Sequence, residues 1–128
     1  MNGPAVFIAN DINLDLSSLN KWGCVVSVFR THLFPDTVDE MYHYIKIAKE
    51  KLEHYDPQCD TIAMVGDPIL TSLIVACVVE KGINRFTLLK YDRKLCAYYP
   101  VTIDIGNKNE QNDKRRDING NTEFGCSI

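Results

Sequence analysis

At 128 residues the chain has room for one domain with a single core and not for two ordinary ones. Apolar residues make up 45% and charged residues 24%, ordinary for a soluble globular protein. A net charge of −3 leaves no surplus of basic side chains to release counterions, which argues against unselective polyanion binding but leaves room for a local basic patch.

Met1-Asn2-Gly3-Pro4 leads into an apolar run without a basic region or cleavage signature. No signal peptide is expected, and no apolar stretch is long enough to span a bilayer, so the expected location is cytoplasmic, without a membrane partner. Residues 5–9 read as a first strand ending at a polar turn, Asn10-Asp11. Residues 16–22 read as a short helix, with Asp15 or Ser17 near its start and Gly23 as its stop. Residues 24–29 are β-branched and largely apolar, which predicts a second strand covered on both faces.

The next helix is predicted over 37–55. Thr37-Val38-Asp39-Glu40 has the capping-box form, and Val38, Met41, Ile45, Ala48, Leu52 and Tyr55 recur at helical spacing as one apolar face. Asp56-Pro57 ends it, because a residue before proline is pushed out of α geometry. Residues 61–65 are the third strand. There the apolar run stops at Gly66-Asp67-Pro68, and a helix over 68–81 begins at once, with Asp67 placed to cap and Pro68 at the first helical position. This helix is apolar nearly all round, so it needs cover beyond one sheet face, which another subunit would supply. Residues 85–91 and 95–103 read as two further strands joined by a turn at Asp92-Arg93-Lys94, and Pro100 marks the last as an edge strand.

Composition changes at Gly106, and the tail 106–128 is expected to be disordered unless a partner orders it. Strands joined through helices should run parallel with right-handed crossovers. The expectation is one α/β domain over 4–105, a small three-layer Rossmann-like parallel sheet with a C-terminal antiparallel hairpin.

In such a sheet the carboxyl ends of the strands converge on one edge, where ligands bind. Asn10 and Asp11 follow the first strand, Arg30 and His32 the second, and Gly66 and Asp67 the third, with Thr71 and Ser72 in the first turn of the following helix. Asn10, Asp11, Arg30, Gly66, Asp67, Thr71 and Ser72 together could hold a polar ligand, with Arg30 as anion partner and the helix N-terminus as a donor array. The plain structural reading stands beside it: Gly66 relieves crowding, Asp67 caps, and Thr71 and Ser72 bond to their own turn. GxGxxG and Walker A sequences are absent.

Cys24, Cys59, Cys77, Cys96 and Cys126 form no CxxC pair, and the expectation is reduced thiols packed as small hydrophobes. His43 and His54 share a helix three turns apart, too distant to chelate one ion. Ser72 and Cys77 have no nearby base, so no catalytic residue, metal site or cofactor is expected. Arg93 and Lys94 at the hairpin tip, with Tyr91, Tyr98 and Tyr99 alongside, could form a stacking and phosphate-contacting edge, against the plainer reading of a charged turn with cross-strand tyrosine pairs.

From Met64 to Val101, the succession Val65-Gly66-Asp67-Pro68, an apolar helix, Leu88-Leu89-Lys90-Tyr91-Asp92-Arg93 and Tyr98-Tyr99-Pro100-Val101 resembles a group of small bacteriophage proteins. It also looks like the closing half of the Rossmann-like nucleotide-sensing domains of bacterial antiviral systems, the SAVED and CARF types. That second likeness implies binding of cyclic oligonucleotides, with Gly66, Asp67 and Thr71 lining the ligand edge. The expected function is a small non-enzymatic binding or regulatory protein, viral, acting through protein contacts as a homo-oligomer in the host cytoplasm, with a host protein as a further partner. The alternative is a binder, or weak nuclease, for a nucleotide or cyclic oligonucleotide at the carboxyl edge of the sheet.

Overall fold

The structure, a computed structural model, describes residues 3–10, 15–29 and 38–106. Five strands form one sheet in the order β2-β1-β3-β4-β5, with β1 Ala5–Asn10, β2 Cys24–Phe29, β3 Thr61–Ala63, β4 Arg85–Asp92 and β5 Ala97–Asp104. The first four run parallel, and β5 returns antiparallel to β4. This is the expected α/β architecture.

Strand order dictates the layers. The chain steps one way from β1 to β2, then the other way from β2 to β3 and from β3 to β4. Right-handed crossovers therefore put the first connection on one face and the next two on the opposite face. Phe7 and Ala9 of β1, Ile62 and Phe86 face the helices α1 (Val38–Lys51) and α2 (Pro68–Glu80), meeting Ala48, Leu52, Leu70, Ile74 and Val78 in one core. Val6, Ile8, Ala63 and Leu89 face the other way and pack on Leu19 of a short helix, Ser17–Trp22. Alternation along β1 feeds the two cores from alternate residues of one strand, which is why β1 is buried almost throughout.

The short helix after β1 forms as expected and stops at Gly23, and its form is 3₁₀: Leu19 N–H donates to the Leu16 carbonyl at 2.9 Å, and Gly23 N–H to Asn20 at 3.3 Å. The segment between Asp15 and Gly23 is too short for the α form to recover its nucleation cost. Other elements depart from expectation for local reasons. α1 stops at Lys51 rather than Tyr55, because the chain tightens through Glu53 N–H to Glu50 and Tyr55 N–H to Leu52. Its apolar face holds at Ala48, Leu52 and Tyr55, whereas Val38 is exposed at the first turn. Thr37, half of the expected capping box, lies outside the described residues.

β2 is an edge strand, only partly covered, with Cys24 exposed at its start. β3 ends at Ala63, two residues early, because Val65 N–H folds back onto the Ala63 carbonyl at 2.8 Å. The hairpin loop is Arg93–Cys96, so Leu95 sits exposed in a turn instead of opening a strand. Pro100 does lie on an edge strand, opposite Leu89. The described cysteines are free thiols, but Cys24, Cys59 and Cys96 are exposed and only Cys77 packs as a hydrophobe. The expected tail beyond Gly106 and Cys126 within it lie outside the described residues.

Candidate functional site

The connections from β1 and β3 diverge to opposite faces, so the crevice between the carboxyl ends of these two strands is the sheet's switch point. Asn10 closes it. Its side chain is fully buried, and its Oδ1 accepts the Asp67 N–H at 3.0 Å. Gly66 follows with φ +100°, and a Cβ there would meet the Asn10 side chain and stand 2.8 Å from its backbone nitrogen. Only glycine combines that dihedral with that approach.

Asp67 Oδ1 accepts the N–H groups of Ile69 at 2.8 Å and Leu70 at 3.3 Å, satisfying two free donors of α2, and Pro68 occupies the first helical position. Thr71 Oγ1 donates to the Asp67 carbonyl at 2.9 Å, and Ser72 Oγ to the Pro68 carbonyl at 2.8 Å. The structure thus gathers Asn10, Gly66, Asp67 and Thr71 into one bonded turn, with Ser72 exposed beside it. A ligand here would have to displace these bonds or use the backbone. Asp11, Arg30 and His32 lie outside the described residues.

On the 3₁₀ face of the same edge, a groove of about 690 Å³ opens beside Gly66, between the start of the 3₁₀ helix and the β4–β5 hairpin. Tyr91 and Tyr98 are register partners and meet edge-to-face at 5.2 Å in its wall. Burial pushes both phenols above their ordinary value, with the Cys96 thiol adding to the effect on Tyr91 and Tyr91 adding to that on Tyr98. Arg93 stands on the loop above them, and Asp15 on the facing wall is held below the usual carboxylate range by the Ser17 N–H and then its hydroxyl. Tyr99 alternates to the opposite face and takes no part in this wall. The tyrosine pair and Arg93 were visible in the sequence. Asp15 and Met64 were not, since they come from segments remote from the hairpin.

At the amino edge, Asp60 is a residue that sequence reasoning missed. It is buried, and its carboxylate accepts the Ala5 N–H and the Asp56 N–H, both at 2.9 Å, tying β1 to the loop before β3. Beside it the Tyr55 hydroxyl is buried with no partner among the described residues. Burial, then the Asp60 and Asp56 carboxylates, push this phenol up to about 12. The exposed Cys59 thiol is pushed up by its contact with Asp56, the reverse of what a nucleophilic thiolate needs. Among the described residues no group of three or more His, Cys, Asp or Glu could hold a metal ion.

The helical face carries a different feature. On α2, Ile69, Ser72, Ala76 and Val79 fall at intervals of three, four and three, and all are exposed, Ile69 by 57% and Val79 by 37%. They form one uncharged stripe on the side turned away from the sheet. α1 adds exposed Val38 and Tyr42 in its first turns, at the same end of this layer as Ile69.

The family model of the phage Pam3 gp32-like proteins matches residues 4–105. The chain belongs to that family. The matched span runs from just before β1 to just past β5. No curated protein and no solved structure matches the chain. Membership in the gp32-like family places the chain among bacteriophage proteins, which carries the first of the two resemblances; the SAVED and CARF likeness gains no support from the match. Among the described residues no helix is long and apolar enough to cross a membrane.

Proposed function

We propose that this gp32-like protein is a non-enzymatic binding protein of regulatory type, which acts in the host cytoplasm through protein contacts and associates with itself. The observation that carries this reading is the outward stripe of α2. A helix that buries Leu70, Ile74 and Val78 against the sheet has no need of Ile69, Ala76 and Val79 on its far side. A surface helix ordinarily places charges there. An uncharged stripe facing water stabilises an assembly in which it is covered.

Thermal unfolding at several concentrations tests it. Self-association stabilises the native state by mass action, so the wild-type Tm rises by several degrees between ~1 and ~100 µM. Ile69→Lys, at a site more than half exposed, keeps the fold and removes that dependence. A wild-type Tm independent of concentration over that range overturns the reading.

A further inference from the structure

The groove beside Gly66 holds three kinds of group that suit one kind of ligand. The first is a stacking surface. A cross-strand tyrosine pair usually covers its own rings, yet Tyr91 stays 44% exposed beside Tyr98, and Met64, 46% exposed, lines the same groove from the end of β3. An exposed aromatic ring beside a polarizable thioether suits a flat ring. The second is a cation, Arg93. Its neighbour Asp92 is turned into the loop, where Oδ1 accepts the Lys94 N–H at 2.8 Å and the Leu95 N–H at 3.3 Å. Among the described residues no ion pair engages Arg93. The third is the hydroxyl and carboxylate set of Ser17, Ser18 and Asp15 on the other wall, suited to the donors of a sugar or a ring edge.

A flat ring, a sugar and an anion in one molecule describe a nucleotide. We propose that this groove binds a nucleotide, with the base stacked on Tyr91 and the phosphate paired with Arg93. The guanidinium fork matches phosphate oxygens, and base stacking on an aromatic side chain tolerates any base. Asp15 orients the ligand, since its charge turns the phosphate toward the hairpin wall. At about 690 Å³ the groove lies within the range of small-molecule sites. The site is independent of the stripe on α2, so a monomer that binds nucleotide defeats the self-association reading alone.

Calorimetric titration of the full chain with the four ribonucleoside 5′-monophosphates, adenosine and inorganic phosphate tests it. At least one monophosphate binds saturably. Adenosine binds about tenfold more weakly than adenosine monophosphate, and Arg93→Gln erases that difference. Tyr91→Ala weakens nucleoside and nucleotide alike by about tenfold, and Tyr91→Leu, which keeps an apolar partner for Tyr98, does the same in a protein with unaltered packing. A short single-stranded oligonucleotide that binds tighter than the monophosphate assigns the ligand to a nucleic acid strand, and equal affinity assigns it to the free nucleotide. The proposal is overturned by no saturable binding up to about 10 mM. It is equally overturned by binding that both Arg93→Gln and Tyr91→Leu leave unchanged, or by phosphate alone binding as tightly as the nucleotide.

Discussion

Asp67 is held at both ends of its residue: one carboxylate oxygen serves two backbone donors of α2, and its own N–H donates to Asn10. Asparagine caps about as well as aspartate, so Asp67→Asn costs little and Asp67→Ala about 1 kcal/mol, measured by urea denaturation. Equal losses from the two substitutions would mean that charge, not the cap, is what the helix uses. Tyr55 shows the opposite economy, a buried hydroxyl without a partner among the described residues. Tyr55→Phe is therefore neutral or stabilising by up to about 1 kcal/mol. The folded phenol ionises at about 12 against an ordinary value of 10.0, so the unfolded chain loses its proton first on alkaline titration. Stability from this group is intact below pH 10 and drains as pH rises toward 12. Wild type minus Tyr55→Phe isolates the effect, and parallel pH profiles would refute it.

At the scale of elements, what a stretch of sequence declares depends on how local its partners are. α2 was legible because Gly66, Asp67 and Pro68 punctuate its start within three residues and the bonds made by the Asp67 carboxylate and the Thr71 hydroxyl all fall within six, whereas the Asn10 bond to the same turn spans 57. The short helix before Gly23 was legible too but its 3₁₀ form was not, since the six residues Ser17–Trp22 fit either helical form until hydrogen bonds choose. Asp60 was invisible because the donor it serves on β1 is 55 residues away. The same holds for the groove, whose hairpin wall could be read while its facing wall, from the 3₁₀ helix, could not. Lys81 is another such residue. It lies just past α2, and its Nζ donates to the Leu52 carbonyl and, at 3.4 Å, to that of Glu53, where the chain leaves α1. A cation there satisfies carbonyls that a helix end leaves free and complements its dipole. Lys81→Met keeps the stem and loses the donor, at a cost of about 1 kcal/mol in urea denaturation. An unchanged midpoint would show that the ammonium contributes nothing. The neighbouring Lys49–Glu80 pair, 2.9 Å apart with both side chains at least half exposed, contributes little by comparison.

For the whole molecule, the layers assign the surfaces. The strand order sends one short connection to one face and two full helices to the other, so the groove and the α2 stripe are separated by the sheet. A contact made through α2 leaves the groove beside Gly66 open, which suits a protein that binds a partner and a small ligand together. Sedimentation velocity at micromolar concentration tests the self-association most directly. The wild-type chain sediments as a dimer or larger species, and Ile69→Lys sediments as a monomer with an unchanged circular dichroism spectrum. A wild-type chain that sediments strictly as a monomer at those concentrations contradicts the account.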